Sequence, residues 1–214
     1  DYLVSDSSNS SLLNRATQGA YPPGSTFKIV TALAYLKAHG SIDGFSYNCS
    51  GSITMDDHTI TCYDGEVHGE EDFTTAFAES CNSAFASIGV DLGRSKLTQT
   101  AESLLFNSKL PIPIEYNKSR FDLGDHPGNP LLMQTSIGQG NTLVSPMHMA
   151  MIVSAIANDG VLMKPYYVDH VENVNGDIVK TTKPAEYKQL LETSEARTMQ
   201  SLMEEVVNRG TASS

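Results

Sequence analysis

Tryptophan is absent, cysteine occurs three times, and Lys plus Arg number 14 against 25 Asp plus Glu, for a formal charge of -11. Each shortage excludes something. A chain this acidic, with no concentrated basic patch, opposes a phosphate backbone, so nucleic acid is not an expected partner. Three cysteines, Cys49, Cys62 and Cys81, are too few for a disulfide scaffold. Long apolar runs are also missing: the longest nearly uncharged stretch, residues 128–145, is interrupted by Asn, Gln, Thr and Gly and cannot cross a bilayer as a helix. The chain starts at Asp1 with no basic-then-apolar leader or anchor, which predicts a soluble piece of a longer protein. Against these absences stands a 40% hydrophobic content over 214 residues, enough for one substantial core, and a single domain over 1–214 is expected.

Residues 1–20, rich in Ser, Asn and Gln, predict a surface lead-in or the tail of an edge strand. Tyr21-Pro22-Pro23-Gly24 forces a turn, and residues 25–38 follow as an almost wholly apolar, hence buried, helix closed by Gly40. Short β-prone pieces lie at 53–55 and 59–61. Helices are expected at 73–79, behind the acidic Glu70, Glu71 and Asp72, then at 83–92, stopped by Gly93, and at 96–106. A loop punctuated by Pro and Gly runs from 110 to about 130, long enough to suggest function. Ser145-Pro146 caps a helix that reaches Asn158 and stops at Gly160, with Met147, Met149 and Met151 read as core packing. Segments 168–174 and 177–181 flank Asn175-Gly176 and predict a hairpin with a two-residue turn. A last amphipathic helix covers 194–208, with Leu202, Met203, Val206 and Val207 on or beside its apolar face.

Ser25-Thr26-Phe27-Lys28 sits at the start of the first helix, where side chains at i and i+3 share a face, so a hydroxyl and an amine can meet. Lys28 is the only charged residue from Thr26 to Leu36. Burying an ammonium beside Phe27, Ile29, Val30 and Leu33 is costly unless it is paired or deprotonated, and desolvation lowers its pKa. A neutral amine so placed can take the proton of Ser25. The bland alternative makes Ser25 a helix cap and lets Lys28 snorkel its amine to water.

Ser80-Cys81-Asn82 adds a hydroxyl able to relay a proton and an amide able to hold both a peptide carbonyl and the Lys28 amine. Ser7-Ser8-Asn9 and Ser46-Tyr47-Asn48 match the same pattern and read as polar loop. Cys81 reads as a small buried filler, since no ordered His partner argues for a nucleophile. Cys49 and Cys62 could close a local disulfide or stay free thiols; with His58 and His68 they could hold zinc, but a twelve-residue gap lacks the close ligand pairing of a structural site. His68-Gly69 reads as a turn. Gly138-Gln139-Gly140 reads either as a substrate-binding loop near the cleft or as a plain turn.

Asn14-Arg15-Ala16, the run from Tyr21 to Lys28, His68-Gly69, Ser80-Cys81-Asn82-Ser83-Ala84-Phe85, Gly138-Gln139-Gly140, and Val144-Ser145-Pro146 leading to Ala157-Asn158-Asp159-Gly160 stand in a telling order. That order resembles the transpeptidase domain of class B penicillin-binding proteins, in the penicillin-binding and serine β-lactamase-like superfamily, over nearly the whole chain. The resemblance implies an α/β fold of the α+β type, with helices flanking an antiparallel sheet that is only partly present here. It implies acyl transfer on peptidoglycan, in which Ser25 attacks a D-Ala-D-Ala stem and passes the acyl group to a neighbouring stem's amine. Lys28 would be the base, Ser80 the proton relay and Asn82 the positioning amide; the Ser25 N-H would be half of an oxyanion hole. β-Lactams would acylate Ser25, cell-wall synthesis proteins would be partners, and no metal or organic cofactor would be needed. The location would be the extracytoplasmic face of a bacterial membrane, tethered by an N-terminal anchor outside this chain.

The family's third motif, Lys-Thr-Gly or Lys-Ser-Gly on a strand, is absent from the 214 residues and is expected soon after Asn208-Arg209-Gly210-Thr211. The chain as given is therefore expected to hold an incomplete site that acylates poorly by itself. The alternatives are a serine β-lactamase or D,D-carboxypeptidase, a β-lactam-sensing domain, and a catalytically silent scaffold.

Overall fold

The computed structural model describes residues 12–213, so Ser7-Ser8-Asn9 and the start of the expected lead-in lie outside the described residues. Gly24–Phe27 make a 3-10 turn that runs directly into α1 (Lys28–His39), which closes where Gly40 turns left-handed. The nucleophile candidate thus lies in the tight turn, and only Lys28 of the pair is α-helical. α1 is apolar nearly all round, and a helix with that pattern must be covered on every side. It packs against α3 (Asn82–Ser103) and α6 (Thr193–Asn208).

Local signals place most helices. α2 (Phe73–Ala78) starts where the Asp72 carboxylate accepts from the Thr75 N-H at 2.7 Å. α3 is two helical pieces joined at Gly93, whose φ of 65° breaks the run where the sequence predicts. Its second piece stops at Ser103 rather than 106, because Leu104, Leu105 and Phe106 turn inward and are buried. α4 (Asn129–Ser136) is not anticipated from the sequence: it is short, and no side chain caps it. α5 (Pro146–Ala157) begins with the Ser145 hydroxyl accepting from the His148 N-H, and Met151 is buried in the core. α6 opens with a reciprocal capping box between Glu192 and Glu195.

All strand pairing is antiparallel, as the expected class requires. Among the described residues the strands form four two-stranded ladders and not one continuous sheet. β1 (Tyr47–Cys49) pairs with β4 (Gly69–Glu71), and β2 (Ser52–Met55) with β3 (His58–Thr61). β5 (Val161–Met163) pairs with β8 (Glu186–Gln189), and β6 (His170–Glu172) with β7 (Ile178–Thr181). The β6–β7 turn departs from the expected two-residue form. Gly176 N-H donates to Asn173 O at 3.1 Å, and Gly176 has φ of 85° while Asn175 keeps negative φ. That pattern is a type I turn followed by a left-handed glycine, and the Asn173 side chain completes it by accepting from the Asn175 and Asp177 N-H groups.

One hydrophobic cluster joins these parts, and it reaches the turn that carries Ser25 through Phe27. Phe27 is fully buried, stacks on Phe121 with centroids 5.8 Å apart, and meets Phe106 edge-on at 5.8 Å. Phe121 belongs to the long loop before α4, so that segment contributes core as well as surface. His148 closes the same region. Leu104 O can only accept, so the Nε2-H donates to it at 2.8 Å, and Nδ1 takes the Ser119 hydroxyl at 2.7 Å. Burial holds the His148 pKa below its ordinary value, favouring this neutral form. Phe27→Ala should cost about 3–5 kcal/mol of stability, read as a lowered denaturation midpoint. A loss below about 1 kcal/mol would mean that the aromatic trio does not anchor the turn.

Candidate active site

The Lys28 side chain is 2% exposed and points inward, which disposes of the snorkelling alternative. Its Nζ lies 2.5 Å from Ser80 O, 2.9 Å from Ser80 Oγ and 2.7 Å from Asn82 Oδ1, and 5.6 Å from the Phe85 ring centroid. An ammonium has three N-H donors, and here they meet three acceptors from a single turn. Burial pulls the Lys28 pKa down to about 8, against a smaller upward pull from Cys81, Cys62 and Glu71. The neutral amine is therefore within reach of neutral pH and reaches about half of the population near pH 8. The neutral amine has two N-H bonds for the two groups that can only accept, Ser80 O and Asn82 Oδ1, and its lone pair is then free to take a hydroxyl proton.

The turn that faces Lys28 is built by two helices ending and starting within three residues. The Ser80 N-H donates to Phe77 O at 3.1 Å and the Cys81 N-H to Ala76 O at 2.9 Å, which is a Schellman end to α2. Ser80 takes its left-handed position with φ of 55°, where glycine is usual, and this non-glycine strain of about 1–2 kcal/mol aims both its carbonyl and its hydroxyl at Lys28. Cys81 then caps α3, its sulfur accepting from the Ala84 N-H. Asn82 is held at both ends: Oδ1 accepts from Lys28 and Nδ2 donates to Thr61 O at 3.0 Å. Neither the Schellman end nor the Thr61 contact has a sequence signal, since serine does not announce a left-handed residue.

Ser25 is exposed on the 3-10 turn, and the Lys28 N-H donates to Ser25 O, which ties the two backbones together. The Ser25 hydroxyl is not among the hydrogen-bond partners of Nζ. A pocket of about 270 Å³ opens beside it, lined by Ser25, Lys28 and Ser80 with Phe77, Met203 and Val206 as apolar wall. Gly138, Gln139 and Gly140 do not line this pocket. Gly138 O accepts from the Gly24 N-H at 2.9 Å, and a Cβ on Gly138 would lie 1.9 Å from Gly24 O. With φ of 76° as well, Gly138 lets one loop close on the backbone of the Ser25 turn, while Gln139 and Gly140 stay exposed.

Cys49, Cys62 and Cys81 are buried as free thiols, with Cys49 and Cys62 sulfurs 3.7 Å apart, not the roughly 2.05 Å of a disulfide. His58, grouped with them on spacing, lies elsewhere, its Nε2 3.1 Å from Gln134 Nε2. Glu71 is buried with neither carboxylate oxygen hydrogen-bonded among the described residues, and burial pushes its carboxyl up.

A serine on a tight turn, followed three residues later by a buried lysine that a Ser-x-Asn turn holds, is an arrangement able to support serine–lysine acyl transfer. The chain belongs to the penicillin binding protein transpeptidase domain family, whose family model matches residues 2–214, and within it to the class B proteins. It is 32% identical over 207 residues to the peptidoglycan D,D-transpeptidase PbpA of Mycolicibacterium smegmatis, covering 92% of this chain and 41% of that protein. It is 28% identical over 202 residues to stage V sporulation protein D of Bacillus subtilis, covering 92% of this chain and 31% of that protein. Among solved structures it is similar to PBPA from Mycobacterium tuberculosis, with a TM-score of 0.86 at 29% identity over 95% of this chain and 47% of that one. The penicillin G acyl-enzyme complex of that protein matches with a TM-score of 0.85 at 29% identity over 97% of this chain and 48% of that one. The chain thus spans about two-fifths of the length of the curated PbpA relatives it matches. No described helix is long and apolar enough to cross a membrane.

Two substitutions test this geometry. Asn82→Asp would put a carboxylate on the Lys28 amine and should raise its pKa by about 1–3 units, read by NMR titration of the lysine side chain. An unchanged or lower value would mean that Asn82 does not set the charge state of Lys28. Gly138→Ala should cost more than about 1 kcal/mol, seen as a lowered melting temperature, and neutral behaviour would contradict the close approach to Gly24.

Proposed function

We propose that residues 1–214 are part of one transpeptidase domain of a peptidoglycan D,D-transpeptidase, working at the extracytoplasmic face of a bacterial cell membrane. The observation that supports this most is the Lys28 amine, buried, with its pKa lowered to about 8, and bonded to Ser80 and Asn82 beside the Ser25 turn. In this reading neutral Lys28 takes the proton as Ser25 Oγ attacks the penultimate carbonyl of a D-Ala-D-Ala stem. The tetrahedral adduct collapses with loss of the terminal D-Ala, whose amine receives a proton through the Ser80 hydroxyl. The acyl group remains as an ester on Ser25 until the amine of a second stem displaces it. Asn82 keeps Lys28 oriented while its own orientation is fixed by Thr61. Gly138 holds the turn, and the exposed Gln139 and Gly140 are presented to substrate. A β-lactam follows the first half of this path and stops at the ester. The penicillin G acyl-enzyme complex of the related mycobacterial protein supports that extension.

The test is intact-mass analysis of the full-length protein with benzylpenicillin, with Ser25→Ala as control. One adduct on the wild type and none on the variant is expected. An adduct retained by the alanine variant would remove Ser25 from its role. The acylation rate should rise with pH up to about 8 and then level, because the neutral form of Lys28 is the active one and its fraction saturates above the pKa. A rate that falls over the same range would mean that the ammonium, and not the amine, is required.

A further inference from the structure

Four side chains that the reaction does not use converge behind the Ser80 turn. Cys49 ends β1, Cys62 follows β3, His68 precedes β4, and Cys81 caps α3; their ligand atoms all lie within 4.8 Å of one another. We propose that Cys49, Cys62, Cys81 and His68 form a zinc-binding site. Tetrahedral zinc with Zn–S near 2.3 Å and Zn–N near 2.0–2.1 Å requires edges of about 3.8 Å between sulfurs and about 3.6 Å from sulfur to nitrogen. Here the edges are 3.7 Å for Cys49–Cys62, 3.8 Å for Cys62–Cys81, and 3.3 Å from Cys49 to His68 Nδ1. Sulfurs in contact alone would show similar spacing. The imidazole nitrogen at the fourth corner is what turns a packed trio into a ligand set.

Hydrogen-bond donors face the sulfurs. The Gly51 N-H points at Cys49 sulfur from 3.4 Å, the Ala84 N-H at Cys81 sulfur from 3.5 Å, and the Ser83 hydroxyl lies 3.2 Å from Cys49, 3.5 Å from Cys62 and 3.4 Å from Cys81. Donors of this kind stabilise metal-bound sulfur. His68 presents Nδ1 to the Cys49 sulfur, and the Glu66 carboxylate stands 3.8 Å from Nε2, longer than a hydrogen bond but on the side from which an outer partner orients a ligating imidazole. The three cysteines are at most 4% exposed and the His68 side chain is 7% exposed. Three thiolates and one imidazole select zinc over hard cations, and four protein ligands make a closed, structural site. A disulfide would use only two of the sulfurs and leave His68 without a role.

The consequence is positional. Residues 47–71 carry the two ladders β1–β4 and β2–β3, whose strands have three or four residues each, and one 3-10 turn at Tyr63–Gly65. Such a small excursion has little core of its own and benefits from a metal staple. One end of that staple is Cys81, between the two residues that hold Lys28. The sequence hid this site because its ligands are 13, 6 and 13 positions apart, with no close pair, and because His68 and Cys81 had other readings.

Elemental analysis of the full-length protein, purified reduced and without chelator, should find about one zinc per chain. Cobalt(II) added to the stripped protein should give thiolate charge-transfer absorption and the strong visible bands of a tetrahedral site. Stripping should lower the melting temperature, and zinc should restore it. Cys62→Ser and His68→Gln should each weaken metal retention; where a variant fails to fold, the cobalt spectrum of the wild type still decides. Substoichiometric zinc together with no tetrahedral cobalt spectrum in the reduced protein would overturn the assignment. So would a Cys49–Cys62 disulfide in the native protein that, once reduced, takes up no metal.

Discussion

A buried ammonium is the constraint around which this structure is arranged. Lys28 lies in a core helix and, among the described residues, bonds no carboxylate; its charge is met there by one carbonyl, one hydroxyl and one amide oxygen. Those acceptors come from two residues of one turn, Ser80 and Asn82, and bringing them to one nitrogen demands the left-handed Ser80. Local strain is accepted there because two helix ends overdetermine the turn, one closing at Ala78 and the other opening at Asn82. Neutral acceptors have a chemical result. They satisfy the amine without holding its proton as an aspartate would, so desolvation prevails and the pKa falls to about 8.

Support for this centre is layered through segments remote in sequence. Phe27, between Ser25 and Lys28, is clamped by Phe106 and Phe121, so the turn and the helix start are fixed from the core side. Gly138 holds the same turn from a separate loop, through Gly24. Asn82 reaches Thr61 at the end of β3, which links the site to the small β excursion. The sulfur cluster joins that excursion to Cys81, so the proposed metal and the lysine share one turn of backbone. Rigid support of this kind is what keeps a reactive group within tenths of an ångström of a working geometry.

Much of this is legible in the sequence, for physical reasons. The apolar run after Ser25, the Pro-Pro-Gly turn, the Ser145-Pro146 cap and the Gly93 break are all local, and local chemistry is written in adjacent residues. The 3-10 form of the Ser25 turn is not, nor is α4, whose eight residues lack a capping side chain. Strands β1, β4, β5 and β8 escape notice because three or four residues show no usable alternation. The Asn173–Asp177 turn differs from its expected form because the Asn173 side chain, not the Asn175-Gly176 pair alone, sets its length.

Sequence alone determined the family, through the order of its motifs, and it determined that a serine and a lysine three residues apart stand where the chain enters its first helix, because the Pro-Pro-Gly turn and the apolar run that follows are local signals. Only the tertiary structure decided what that lysine bonds to, what Gly138 is for, and that three cysteines and a histidine meet. Each of those depends on distances between separate segments of the chain, and packing, not spacing along the chain, sets such distances.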